Sequence, residues 1–216
     1  MKISILMPIY NGIEFLNESL ESVKSQTYKD WELLIGVNGH KKNSDVFNIA
    51  NKHSSNNIKV LDYYNIKGKS NTLNEMLNCC ADVCCLLDVD DKWHPEKLSR
   101  QVEYISSYDV VGTRCQYFGD RNDHPDIPTG HIDRGIFMSF NPIINSSSMF
   151  YKKDAYWDPG LSVEDYDMWL RLNKEGKRFF NHPDILTYHR IHNNSYFNTR
   201  NHDQEINQTL NRWRIT

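Results

Sequence analysis

No stretch of this 216-residue chain approaches the ~20 consecutive apolar residues that a membrane-spanning helix needs, so no transmembrane segment is expected. An excess of one charge is also missing. Lys and Arg total 25 against 28 Asp and Glu, a net of −3, which leaves no electrostatic footprint for nucleic acid or an acidic membrane. The five cysteines fall at 79, 80, 84, 85 and 115. Adjacent pairs are not the Cys-x-x-Cys spacing of zinc sites, and an odd count argues against a disulfide framework. Packing of the four clustered thiols in the core is expected instead, since free cysteine is among the most buried residue types. No repeat of about 20–50 residues and no low-complexity linker interrupts the chain. The apolar segment before Pro8 is too short for the core of a signal peptide. A cytoplasmic protein is the expectation, with peripheral attachment to a membrane left open.

What the chain does have is the stretch Cys84-Cys85-Leu86-Leu87-Asp88-Val89-Asp90-Asp91-Lys92-Trp93. A short apolar run ending in carboxylates reads as a buried strand of a parallel sheet, with acids where such sheets bind ligands. If the strand persists, Asp88 and Asp90 share a face. Two hard oxygen donors there suit Mg²⁺ or Mn²⁺ with a diphosphate completing the shell. Asp-x-Asp alone is equally a solvated turn, and its surroundings must decide.

Upstream, residues 2–7 form a strand candidate closed by the turn Pro8-Ile9-Tyr10-Asn11-Gly12, followed by a helix striped with Phe15, Leu16, Leu20 and Val23. Trp31–Val37 and Ile58–Leu61 are further strands. Residues 43–55 and 70–80 are helices, and Pro95 is expected to open another at its first position. This alternation predicts a parallel, doubly wound α/β sheet. Beyond about Tyr108 the rhythm changes to mixed α+β. Short strands are expected at 109–112, 114–118, 146–151 and 184–192, with helices at 164–175 and 201–213 and a mobile polar loop at 119–130.

With the Pro8-x-Tyr10-Asn11 turn and Asp88-Val89-Asp90-Asp91 in view, the chain resembles the inverting glycosyltransferases of family 2, which have the GT-A fold. The likeness also includes the Ser25-Gln26-Thr27-Tyr28 block, Lys92-Trp93-His94-Pro95-Glu96-Lys97-Leu98, Glu164-Asp165-Tyr166-Asp167-Met168-Trp169, and Arg190-Ile191-His192-Asn193-Asn194-Ser195. The resemblance implies a nucleotide-sugar-binding half over residues 1–108 and an acceptor-binding, base-carrying half over 109–216. Pro8, Ile9, Tyr10, Asn11, Glu14, Asn38, Lys69, Asp88 and Val89 would bind the nucleotide. Asp90 and His192 would hold Mn²⁺ or Mg²⁺. Asp165 would be the catalytic base, with Glu164 and Trp169 contacting the acceptor, although acids in a helix's first turn also simply complement its dipole and Trp169 also reads as core.

The partners implied are a nucleotide sugar, favouring a UDP-sugar, and a glycan, glycolipid or similar hydroxyl acceptor. A homodimer is left open. Three departures stand out. Val37-Asn38-Gly39-His40 replaces the family's Asp-Asp-Gly-Ser, Thr72-Leu73-Asn74 lacks the usual arginine, and the segment before Glu164 is short. Two other readings therefore stay open. One is a non-catalytic nucleotide-sugar-binding relic; the other is a nucleotidyltransferase, though no Gly-rich phosphate loop follows Met7.

Overall fold

In the computed structural model, which describes residues 1–193 and 201–214, the first four strands run parallel: β1 (Ile3–Ile9), β2 (Trp31–Asn38), β3 (Ile58–Tyr63) and β4 (Val83–Leu86). Their residues divide between two faces with the period of two that a strand imposes. Ile3, Ile5, Met7 and Ile9 of β1, Trp31, Leu33, Ile35 and Val37 of β2, and Cys85 of β4 join one core. Leu6, Leu34, Cys84 and Leu86 join the other. The first core is covered by α1 (Leu16–Lys24), α2 (Asp45–Asn51) and α4 (Lys97–Ile105), through Leu16, Leu20, Val23, Ala50, Leu98 and Ile105. The second is covered by α3 (Lys69–Met76) and α5 (Glu164–Lys174), through Leu73, Met76, Met168, Trp169 and Leu172. Burial on both faces is why β1 and β2 read as nearly unbroken apolar runs.

The sheet continues without interruption into the second half of the chain. Its order is β3-β2-β1-β4-β8-β6-β9-β5, where β5 is Lys92–Trp93, β6 Val110–Gly119, β8 Met149–Tyr151 and β9 Phe179–Ile191; β7 (Gly130–His131) pairs with β9. A final helix, α6 (Asp203–Trp213), packs on α5, and the indole of Trp213 donates to buried Asp167 at 2.6 Å. The GT-A type of doubly wound sheet with a mixed C-terminal half is thus the observed architecture.

Several expectations need correction. The two strands expected at 109–112 and 114–118 are one strand, β6, which runs parallel to β9 with register shifts at Thr113/Arg114 and Arg114/Cys115. Facing the irregularity is Pro183, which has no N–H to give to a ladder, so Thr113 pairs His182 and Arg114 pairs Ile185. β9 begins at Phe179, five residues before the expected start, because its first half is apolar and buried. Pro95 does not open α4. It lies in the preceding turn, where its carbonyl accepts the Thr27 N–H at 2.8 Å, and the helix begins at Lys97. Cys79 is exposed, whereas Cys84, Cys85 and Cys115 are buried and Cys80 lies between. Asn194 and Ser195 of the last family motif lie outside the described residues.

The β4–β8 junction joins the two halves, and Phe150 there lies fully buried with its ring edge-on to Trp157 and Trp169. Phe150→Ala is expected to cost about 3–5 kcal/mol, read as a lowered urea midpoint at unchanged slope.

Candidate functional site

The parallel sheet order places β1 between β2 and β4, so chain connections leave in opposite directions on either side of β1. Open α/β sheets bind ligands at such a point, outside the carboxyl ends of the strands. Here those ends carry Tyr10 after β1, Asn38 at the end of β2 and Asp88 after β4. The turn after β1 presses close to the carboxylate loop. Gly12 has φ +85° and lies so near that a Cβ on it would meet Val89 Cγ1 at 3.0 Å. Only a residue without a side chain gives this approach at low cost.

The strand does not persist to Asp90. It ends at Leu86, and the Asp91 N–H closes a turn on the Asp88 carbonyl at 3.0 Å. Asp88 and Asp90 therefore do not work as one face but reach different partners. The Asp88 carboxylate contacts Lys69 Nζ at 2.8 Å and accepts from Asn145 Nδ2 at 2.9 Å, while the Asp88 N–H donates to Ser146 Oγ at 3.0 Å. Burial alone would push the Asp88 carboxyl up, but the Lys69 ammonium and the Asn145 amide outweigh it and hold it low. Asp90 Oδ2 lies 3.0 Å from His192 Nε2. Its carboxyl is raised, first by burial and then by the charges of Asp91 and Asp88.

Lys69 also reaches Glu164 at 3.5 Å, so one ammonium ties the end of β4 to the start of α5. That ion pairing holds the Lys69 ammonium well above its ordinary range, against the opposing effect of burial. Beside it, Glu164 is pushed up to about 7, by burial first; the Asp165 charge adds to this and Lys69 opposes it. Asp165 is likewise raised by burial, and Asn141 Nδ2 donates to it at 3.1 Å. The carboxylates of Glu164 and Asp165 sit next to each other at the first turn of α5, facing Lys69.

The remaining expected residues are placed as follows. The Pro8 and Ile9 side chains are buried in the sheet, so only Tyr10 and Asn11 of that turn are exposed. Glu14 is exposed, and Val89 is packed in the core behind Gly12. Asn38 is also buried and gives its amide to the Ile9 carbonyl at 3.2 Å. Trp169 corrects the expectation of an acceptor contact. It has no exposed surface, and its ring stands edge-on to Phe150 and Phe179 within the core.

Several residues at the site were not anticipated. His40 stacks on Tyr10, ring centroids 5.2 Å apart. Asn141, Asn145 and Ser146 come from the turn before β8; the polar run Asn145-Ser146-Ser147-Ser148 is a turn-forming sequence that could have signalled them. That turn is held from beneath. Gln101 donates to the Ser147 carbonyl at 2.7 Å and Trp93 Nε1 to that of Ser146 at 2.7 Å. Buried Lys97, whose ammonium burial lowers to about 8, donates to Gln101 at 2.7 Å and lies 3.9 Å above the Trp93 ring.

Among the described residues, no three His, Cys, Asp or Glu side chains are arranged to hold a metal ion unaided. The donor chemistry nevertheless fits a divalent cation. Asp90 and His192 bring one oxygen and one nitrogen to the same point, and crowded carboxylates raise the negative potential there. Mg²⁺ and Mn²⁺ commonly take few protein ligands and complete their shell with phosphate and water.

The sheet is of the GT-A type, and its strand ends gather these carboxylates in one cleft. Residues 4–175 match the family described as Glycosyl transferase family 2, and the chain belongs to that family as a glycosyltransferase. It is 31% identical to EpsE of Bacillus subtilis over 200 residues, covering 86% of this chain and 71% of EpsE. It is 28% identical over 214 residues to WbnJ of Escherichia coli, an O-antigen biosynthesis glycosyltransferase, covering 89% of this chain and 81% of WbnJ. Among solved structures it resembles residues 1–349 of S. aureus TarS in complex with UDP-GlcNAc. That match has a TM-score of 0.80 and 18% identity, and covers 99% of this chain but 66% of the TarS chain.

Since Trp169 is core, Trp169→Phe should leave the acceptor KM unchanged while lowering stability by about 0.5–3 kcal/mol. Initial rates over an acceptor series, alongside a urea melt, check both halves of this expectation.

Proposed function

We propose that this glycosyltransferase is metal-dependent and inverting, moving a sugar from a nucleotide sugar, a UDP-sugar in the favoured case, to a hydroxyl of a glycan, glycolipid or similar acceptor. The observation that carries the reading is the Lys69 bridge: one ammonium spans the Asp88 carboxylate at 2.8 Å and Glu164 at 3.5 Å, joining the nucleotide end of the cleft to a buried pair of acids. Tyr10 and Asn11, with Glu14 beside them, would border the base, and the Pro8, Ile9, Asn38 and Val89 side chains would shape the pocket from behind. Asp88 would contact the nucleoside, and Asp90 and His192 would hold the cation. UDP-GlcNAc in the similar TarS structure and the O-antigen role named for WbnJ support the donor and acceptor classes. Residues 1–108 supply most of this donor pocket, with Asn145, Ser146 and His192 reaching in from the base-carrying half.

When bound, a divalent cation supplies Lewis-acid neutralisation of the departing diphosphate. The protein's own work is at the acceptor. Asp165 takes the proton from the acceptor hydroxyl as that oxygen forms its bond to the anomeric carbon, on the face opposite the breaking carbon–phosphate-oxygen bond. Glu164, one residue away, orients the acceptor and shares the Lys69 charge. With a cation held by Asp90 and His192, the diphosphate would need no proton to leave, so a single carboxylate suffices as base. Asn141 keeps Asp165 aimed into the cleft.

The sign of the pH dependence follows from the raised carboxyls. A base must be ionised, and burial pushes both acids towards protonation, Glu164 to about 7. Activity should fall as pH drops below about 7 and level off above it, the limb belonging to the coupled pair and not to either residue alone. Glu164→Gln removes a like charge beside Asp165 and should move the limb to lower pH, whereas Asp165→Asn should lower kcat by about 10²–10⁴-fold. A kcat loss of that size in Glu164→Gln instead would assign the base to Glu164.

The donor is tested by calorimetry of UDP, GDP, dTDP and CDP, with and without Mn²⁺, on the wild type and on Asp90→Ala. The expected result is Mn²⁺-dependent binding of one nucleotide, UDP on this reading, lost in the variant. No binding of any nucleotide in the presence of Mn²⁺ would remove the donor-site assignment.

A further inference from the structure

Three acids follow one another closely at the end of β4, but they are not equivalent. Asp91 is 1% exposed, and its carboxylate is fully engaged inside the protein. One oxygen accepts the backbone N–H of Arg190 at 2.9 Å, and the other lies 3.0 Å from His189 Nδ1. Both partners are at the carboxyl end of β9, within three residues of His192. A buried carboxylate is tolerated only when its oxygens are satisfied in this way, so the bonds fix the end of β9 against the Asp88–Asp91 turn.

Arg190 strengthens the same junction. Its Nε donates to the Asp90 carbonyl at 3.0 Å, and its guanidinium lies 4.5 Å from the Phe15 ring and 4.3 Å from the Phe118 ring. It is also paired with Glu18, which Lys92 holds from the other side at 2.6 Å. Phe15 in turn packs against the His192 ring, centroids 5.2 Å apart. The two strand ends come from distant parts of the sequence, and His192 stands 102 residues from the Asp90 that it meets.

We propose that Asp91 is a positioning residue that brings His192 to Asp90, an inference that rests on the reading of those two as the cation's ligands. Asp91 does not itself offer an oxygen to the cation, because both are spent on β9. Asp91 is instead the clamp that aligns the two proposed ligands. Groups behind metal ligands typically change metal affinity by about 10–100-fold when altered.

The test uses Asp91→Ala and Asp91→Asn in the full chain, with two readouts besides turnover. Crystal structures without added metal report the separation of His192 Nε2 and Asp90 Oδ2. It should open beyond hydrogen-bonding reach in Asp91→Ala and open less in Asp91→Asn, which keeps the size and one acceptor. Mn²⁺ titration followed by electron paramagnetic resonance, with UDP present, should show affinity falling by about 10–100-fold in Asp91→Ala. His192 remaining on Asp90 in Asp91→Ala, or wild-type Mn²⁺ affinity in that variant, would overturn the proposal. Should Asp91→Ala fail to fold, Asp91→Asn decides by the same two readouts. A wild type that binds no Mn²⁺ would refute the ligand assignment, and the His192–Asp90 separation in the variants would still decide whether Asp91 sets it.

Discussion

The site is governed by like-charge crowding. Asp88, Asp90, Asp91, Glu164 and Asp165 gather at one edge of a sheet, and burial alone raises the carboxyls of Asp88, Asp90, Glu164 and Asp165. Left to themselves, such groups would take up protons and lose the charge on which their chemistry depends. The structure answers with few and specific partners. Lys69 serves Asp88 and Glu164, and the backbone of Arg190 with the ring of His189 serves Asp91. Asp90 meets the His192 ring at 3.0 Å, and the charges of Asp91 and Asp88 add to burial in raising its carboxyl. It is the carboxylate whose environment a divalent cation would most improve.

The fold produces this crowding as a consequence of topology. Parallel strands all deliver their carboxyl ends to the same edge, and β1, with β2 on one side and β4 on the other, opens a crevice there. β9 then returns from the second half of the chain to finish beside β4's loop, although it is not β4's neighbour in the sheet. Its bulge at Pro183 lets a strand that packs in the core at Phe179 and Phe180 continue to His189 and Arg190 at the cleft. The same strand therefore serves stability at one end and the site at the other.

The doubly wound half was legible because its signals are local. Apolar runs flanked by Asn-Gly and by helical stripes fix strand and helix without knowledge of the rest. The carboxylates were legible for the same reason, being written consecutively in Asp88–Asp91 and Glu164–Asp165. What could not be read was the pairing across the chain. Nothing in Asn145 or Ser146 announces Asp88 as their partner, and nothing local in Asp91 distinguishes it from Asp90, yet one is sealed and the other faces the cleft. Burial of this kind depends on which strand end arrives overhead. Pro95 was misread by a different route. A proline suits the first turn of a helix, but here its carbonyl is taken by Thr27 and the helix starts two residues on.

Trp169 shows where helix periodicity alone stops being informative. Residues four apart on a helix lie on one face, so Asp165 and Trp169 share a stripe. They nevertheless have different environments, Asp165 partly exposed beside Asn141 and Trp169 fully buried in the core. At its first turn the stripe meets the cleft, with Lys69 and Asn141 across from it. One turn deeper the same stripe lies over the sheet and meets Phe150 and Phe179. The helix is thus a rigid stem whose buried aromatic anchor fixes the height at which its acids stand in the cleft. That arrangement ties the position of Asp165 to the core, through the packing of Trp169 against Phe150 and Phe179.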